Sequence, residues 1–270
     1  MKPASYIKSS LILFVTGWVM TIGSNIIYAS NANLRNKKQY TPSSVKISKK
    51  KAPVRAGNKI QKKQKVQATP PLSKGLIDTQ IKEITKQAPT LNPNVLALSL
   101  KAYHKFQANK PNQRPFITII DYSKPSSEPR LWVLNLKNNK VVLHHYVGHG
   151  KNSGPNRPNK FSNRKESFQS SIGVLKTADA YFGNYGYALR VVGLEKGFND
   201  NIAARNIVFH ASRYANENFI RLHGRLGRSK GCFSVNPNII KTLVDTIRGG
   251  TMVFSYYPDP KWLSTSDYLT

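Results

Sequence analysis

RLWVLNLKNNKVVLHHYV, residues 130 to 147, decides the reading of the whole chain. Two runs rich in aliphatic, β-branched and aromatic residues flank Asn138-Asn139. Asparagine tolerates left-handed backbone, so the spacing predicts two antiparallel strands joined by a short turn. Outward from this hairpin the same composition recurs. FITIID (116–121), SIGVLKT (171–177), YALRVV (187–192), NIVFHA (206–211) and TMVFSYY (251–257) all read as strands. Residues 148–170 hold Gly, Asn, Pro and Ser without a period and are expected to form a long surface loop.

Two segments break the strand pattern. Asn92 can cap a helix and Pro93 suits its first position, after which Val95, Leu96, Ser99, Leu100, Tyr103 and Phe106 keep helical spacing. Asn236-Pro237 opens a second helix with Ile239, Ile240, Leu243, Val244 and Ile247 as its buried stripe, and Gly249-Gly250 ends it. The expected fold class is therefore mainly β with a few helices (α+β), over residues 91–270. No internal repeat is present.

The first 32 residues have the order of a signal peptide. Lys2 and Lys8 precede an apolar run from Leu11 to Tyr28, and the small residues Ala29, Ser30 and Ala32 follow. Thr16, Gly17, Thr21, Gly23, Ser24 and Asn25 interrupt the run, which favours cleavage over a stable anchor. Residues 33–90 are rich in Lys, Gln, Ser and Pro and read as a basic, disordered linker, unable to bury enough apolar surface to offset its ordering entropy.

The formal charge is +30, from 42 lysines and arginines against 12 acidic residues. No acidic residue precedes Asp78, whereas fifteen basic residues do. Such a chain is drawn to polyanions. With export expected, anionic envelope polymers or a membrane surface are the partners that the basic linker suggests. No aromatic platform interleaves the basic segment, which argues against nucleic acid.

HGRLGRSKGCFSV, residues 223–235, holds the only cysteine of 270 residues. In an oxidising compartment structural cysteines come in pairs. An unpaired Cys232 is then a buried hydrophobe, an intermolecular link or a nucleophile. A thiol nucleophile needs a base and oxyanion donors. His210, at the end of NIVFHA, is the candidate base, with His223 in reserve because its stretch RLHGRLGRS reads as a loop. The amides of Lys230, Gly231 and Cys232 form a glycine-containing turn suited to an oxyanion, and an adjacent imidazole, helped by local positive charge, is expected to raise the thiolate fraction.

With NIVFHA upstream, this stretch resembles the murein L,D-transpeptidase catalytic domain, a YkuD-like fold. That family's signature is a histidine followed by Ser/Thr-His-Gly-Cys and a hydrophobic residue. The resemblance also takes in IDYSKPSSEPRLWVLNLKNNKVVLHHYVGHGKNSG, SSIGVLKT and GLEKGFNDN, about residues 91–258. It implies a β-sandwich catalytic domain with an N-terminal helix and a helix after the catalytic cysteine. It implies that Cys232 is the acylated nucleophile and His210 the base, with the Ala211 carbonyl holding the imidazole. Ser229 and Gly231 match the signature's serine and glycine.

The activity implied is attack on the bond between the third residue of a peptidoglycan stem peptide and D-alanine, then 3→3 cross-linking to a second stem. Water as acceptor would make the chain an L,D-carboxypeptidase. Another cysteine peptidase on the same substrate, or a non-catalytic wall-binding protein of the same fold, remains the alternative. No cofactor is implied. Lys230 replaces the commoner histidine, and Ser234 stands where many members carry a polar or arginine residue used in the site.

Arg225, Arg228 and Tyr187 are candidate substrate contacts, since guanidinium groups bind carboxylates bidentately and Tyr181, Tyr185 and Tyr187 can wall a cleft. His144, His145 and His149 lack the spacing of a metal site, and no metal is expected. The GFNDN turn, 197–201, is expected to shape a loop through Asx-type bonding.

Overall fold

The computed structural model describes residues 74–109 and 114–270. The expected signal peptide, 1–32, and residues 33–73 of the expected linker lie outside the described residues. Eight strands carry the fold: β1 (Phe116–Asp121), β2 (Leu131–Asn135), β3 (Lys140–His145), β4 (Gly173–Gly183), β5 (Gly186–Gly193), β6 (Val208–Ala211), β7 (Phe233–Val235) and β8 (Met252–Tyr256). Five helices accompany them: α1 (Lys74–Gln87), α2 (Pro93–Asn109), α3 (Glu217–His223), α4 (Pro237–Ile247) and α5 (Pro260–Thr265). The mainly β reading holds.

The strands form one mixed sheet in the order β3-β2-β1-β8-β4-β5-β6-β7. β1 pairs with β8 in parallel, as β6 does with β7, and the other pairs are antiparallel. Alternation along the strands fills two cores. Ile117, Ile119, Trp132, Leu134, Val174, Met252 and Phe254 face one core with α2 and with Trp262 of α5. Ile120, Leu131, Val133, Leu175 and Val253 face the other with α4. Helices thus cover both faces, which explains why the central strands β1 and β8 are buried almost throughout.

The sandwich character comes from curling. Phe209 of β6 and Phe233 of β7, at one end of the strand order, share the second core with Leu131 and Val133 of β2, near the other end. The chain leaving β3 then meets β7 directly. Gly148 donates its N–H to the Ser234 carbonyl over 2.8 Å, and Gly150 forms a parallel bridge with Ser229. This seam carries the cysteine turn.

Both expected helices form as their caps require. Asn92 Oδ1 accepts the Asn94 N–H at 2.8 Å, and Asn236 Oδ1 accepts the Asn238 N–H at 2.9 Å. Asn139 has the positive φ, 53°, that the hairpin reading requires.

Three expectations are corrected. Order begins before Leu91: residues 74–87, placed in the linker, form α1. Its Ile77, Ile81 and Ile84 pack on the first core, and Gln87 Nε2 donates to the Asn139 carbonyl at 2.8 Å. The isoleucines have helical spacing, but the surrounding Lys and Gln composition masked it. The segment 148–170 is only partly surface, since His149, Ser153 and Ser170 are buried in the seam. RLHGRLGRS is not all loop, because Asn216 caps α3 through the Phe219 N–H and Gly224, at φ 68°, closes it.

The GFNDN turn is built from Asx bonds, with Asp200 Oδ1 accepting the Gly197 N–H at 2.7 Å. It also does more than shape a loop. Buried Asn199 donates to the carbonyls of Ile172 and Val174 and accepts the Glu195 N–H, tying the loop to β4.

Candidate active site

Strand pairing brings the sulfur and the imidazole to one place. In the parallel β6–β7 pair, Phe209 lies opposite Phe233, and their rings stack in the core with centroids 4.7 Å apart. His210 follows the first phenylalanine and Cys232 precedes the second. Alternation sends both to the same side, with Cys232 also packing at the edge of the second core. They line one open cleft of about 440 Å³ with Lys151, Tyr185, Arg205 and Arg228.

His210 is buried, and its Nδ1 lies 2.8 Å from the Ala211 carbonyl oxygen. A carbonyl only accepts, so Nδ1 carries the proton and Nε2 keeps a free lone pair. Burial holds the imidazole below its ordinary value, partly opposed by the Ala211 bond. The ring of Tyr185, from the two-residue turn between β4 and β5, covers it at 4.9 Å between centroids.

Cys232 is half-buried, and its Sγ lies 3.6 Å from the Asn206 carbonyl oxygen. Burial pushes the thiol up; the Val208 backbone and the positive charge of Arg205 oppose that rise without overcoming it. The expected rise in thiolate fraction is therefore outweighed by burial. Burial thus favours the neutral form of both the thiol and the imidazole.

The turn before the cysteine is braced by Ser229. Its hydroxyl accepts the Gly231 N–H at 3.0 Å and donates to the Cys232 carbonyl at 2.8 Å. The Gly231 amide is therefore committed, a correction to its expected place among the oxyanion donors. The amides of Lys230 and Cys232 remain the candidates. Gly231 itself has φ 119°, and a Cβ there would stand 2.8 Å from the Gln169 carbonyl oxygen and from Ile207 Cδ1. Glycine is required by both conformation and space.

Of the expected substrate contacts, Arg228 lines the cleft, its Nη1 tied to the carbonyls of Lys151 and Gly154. Arg225 does not; its Nη1 donates to the Leu226 carbonyl at 2.9 Å. Tyr187 is also corrected, since its hydroxyl donates to Asp245 of α4 at 2.8 Å and its ring stacks on Phe182. Tyr185, not Tyr187, lines the cleft. Tyr181 lies under Arg190. His223, the reserve base, ends α3 and packs on Phe219 away from the cleft.

Arg205 escaped the sequence reading. Its guanidinium donates to the carbonyls of Ser162 and Gln169 and to the hydroxyls of Ser167 and Ser171. No local pattern marks it, because every one of these partners lies more than thirty residues away in sequence. His149 is likewise no metal ligand. Its Nδ1 accepts from buried Arg130 at 2.7 Å and its Nε2–H donates to the Gly154 carbonyl at 3.0 Å. His144 stacks on Trp132 at 4.7 Å.

A larger cleft of about 510 Å³ lies between His145, Tyr146, Arg213 and the N-termini of α3 and α4. Its Asn216 and Asn236 are spent as helix caps, and it holds no thiol. The thiol and the candidate base line the smaller cleft.

A family model described as L,D-transpeptidase catalytic domain matches residues 87–256. No curated protein sequence gives a significant match. Among solved structures the chain is similar to an L,D-transpeptidase from Mycobacterium smegmatis, at 12% identity over 53% of this chain and 59% of that chain, with a TM-score of 0.34. It is also similar to L,D-transpeptidase 1 from Mycobacterium tuberculosis (14%, 53% and 62%, TM-score 0.30). A third is an L,D-transpeptidase from Stackebrandtia nassauensis (13%, 69% and 93%, TM-score 0.33). The chain spans less than two thirds of the length of the two mycobacterial proteins.

Proposed function

Because the chain belongs to the L,D-transpeptidase catalytic-domain family, we propose that it is an exported cysteine acyltransferase acting on peptidoglycan stem peptides, with Cys232 as nucleophile and His210 as base. One observation supports this most: the thiol and an imidazole with a free Nε2 open into the same cleft.

In the proposed reaction Sγ attacks the carbonyl that joins the third stem residue to D-alanine, and its proton passes to His210 Nε2. The amides of Lys230 and Cys232 stabilise the oxyanion, where one such donor is worth about 3 kcal/mol in the transition state. Collapse breaks the C–N bond, His210 returns the proton to the leaving amine, and D-alanine departs from a thioester. The side-chain amine of a second stem then attacks the thioester and yields its proton through His210. A 3→3 cross-link forms and the thiol is regenerated. Water in place of the amine would release a tripeptide.

A neutral resting pair fits this sequence, because the base must be unprotonated when the thiol meets its substrate. Export, and attraction of the basic N-terminal segment to anionic envelope polymers or a membrane surface, belong to the same proposal.

The test is incubation of the purified protein with sacculi, followed by digestion and mass spectrometry of the muropeptides. New 3→3 dimers support transpeptidation and new tripeptides support carboxypeptidation. Binding with an unchanged profile overturns both in favour of a non-catalytic wall-binding protein. A carbapenem adduct at Cys232, lost in Cys232→Ala, identifies the nucleophile independently.

A further inference from the structure

The seam that holds the cysteine turn also sets two lysines side by side. Gly150 bridges Ser229 in parallel, with the Lys151 N–H donating to the Ser229 carbonyl at 2.8 Å and the Ser229 N–H to the His149 carbonyl at 2.9 Å. The next residue on each chain is a lysine. Lys151 and Lys230 both direct their ammonium groups at one ring, with Nζ 4.4 Å and 5.8 Å from the Phe168 centroid.

Phe168 is held there in an unfavourable backbone state. Its φ is 54°, a genuine outlier for a bulky side chain and one that persists only where the surroundings over-determine it. Several contacts do so. The Phe168 carbonyl accepts the Asn152 N–H at 3.2 Å, and Arg205 grips the carbonyl of Gln169. Gly150 lets the segment come close, since a Cβ there would fall 2.3 Å from the Phe168 carbonyl oxygen.

The charges are uncompensated. None of the three ion pairs among the described residues involves Lys151 or Lys230. Arg205 and Arg228 line the same cleft, and no Asp or Glu does. Bringing like charges together costs free energy that an incoming anion recovers. Lys230 stands two residues before Cys232, so that anion would sit beside the carbonyl under attack.

We propose that Lys151, Phe168 and Lys230 form a subsite for a carboxylate of the acyl donor, so that the cleft selects stems with free side-chain carboxylates over their carboxamides. The ligand assignment rests on the acyl-transfer reading above. The phenyl ring orients the two ammonium groups through its π-face, and the flexible stems let both converge on one carboxylate.

The experiment compares two synthetic donors ending in D-alanine, identical except for a side-chain carboxylate or its carboxamide, and follows D-alanine release by the full chain. The ratio of their kcat/KM values should favour the carboxylate and fall about fivefold for each lysine changed in Lys151→Gln and Lys230→Gln, as roughly 1 kcal/mol per exposed charge implies. Lys151→Arg with Lys230→Arg should retain the ratio. A second readout needs no turnover. Alkylation of Cys232 by iodoacetate relative to iodoacetamide should drop by a similar factor in the glutamine variants. Release from both donors with a ratio near one, unchanged in the variants, overturns the subsite and leaves the acyl-transfer reading standing. Release from neither donor, with Cys232 still alkylated, overturns that reading and this ligand assignment together. Competition by inorganic phosphate without donor discrimination also overturns the carboxylate assignment.

Discussion

Arg130 Nη2 lies 2.7 Å from His149 Nδ1, and both side chains are closed to solvent. Among the described residues no carboxylate forms an ion pair with the guanidinium, although the charge of Asp121 acts on it. It is held by the carbonyls of Lys124 and Val147 and lies over the Tyr122 ring at 4.9 Å. The pair stands directly behind the cysteine turn, because the His149 carbonyl accepts the Ser229 N–H. The geometry needs a neutral imidazole that accepts from Arg130. Burial first, and the adjacent guanidinium second, hold His149 down to about 3.

Acid should therefore loosen this seam. The unfolded chain protonates His149 near its ordinary value of 6.5, well above the folded value. The resulting stability is fully present above that ordinary value and is lost as pH falls toward about 3. Between pH 7 and about pH 4.5 the loss should be roughly 2–3 kcal/mol. Denaturant midpoints at the two pH values, in the natural protein and in His149→Gln, isolate the contribution. The variant should lose clearly less on acidification, and parallel losses would refute the assignment.

Cys232 and His210 should titrate separately rather than as an ion pair. Burial raises the first and lowers the second. The rate of iodoacetamide alkylation should therefore rise with a midpoint above the ordinary thiol range. Donor acylation, by contrast, should reach its plateau at lower pH, once His210 is neutral. An alkylation midpoint below neutrality would indicate a thiolate–imidazolium pair instead.

The turn at 229–232 should tolerate neither an added nor a removed group. Gly231→Ala combines a positive φ with a blocked Cβ position and should cost about 1–3 kcal/mol of stability. Ser229→Ala removes one acceptor and one donor and should cost about 1 kcal/mol. It should also slow carbapenem acylation by roughly tenfold, as expected where a small misplacement spoils an attack geometry. Thermal unfolding and stopped-flow acylation measure the two effects.

Two tyrosines from one hairpin should behave differently. Tyr187 bonds to Asp245 outside the cleft, so Tyr187→Phe should leave the alkylation rate of Cys232 unchanged. Tyr185 covers His210. Tyr185→Ala should admit water to the imidazole and raise its titration midpoint toward the ordinary value, as read by NMR. An unshifted midpoint would show that other groups supply the burial.

Much of the fold was legible because its signals are local. The caps Asn92 and Asn236 act within two residues, the stripe of α4 repeats every three or four, and Asn139 adopts the turn conformation its side chain favours. The Ser-Lys-Gly-Cys turn and the histidine near the end of β6 were marked by residue type, local position and the family resemblance. Short or masked elements were not legible: β7 has three residues, and α1 hides its isoleucines among lysines and glutamines.

By itself the sequence determined seven of the eight described strands and two of the five described helices, and that the chain carries one thiol and a histidine near a strand end. Only the tertiary structure decided what surrounds them. Pairing of Gly150 with Ser229 joins positions far apart in the chain. It follows from the curl of the whole sheet, whose two ends must share one core. That closure, rather than any local preference, sets Lys151 beside Lys230, Arg205 beneath Gly231 and the buried Arg130–His149 pair behind Cys232. It also leaves Tyr187 outside the cleft.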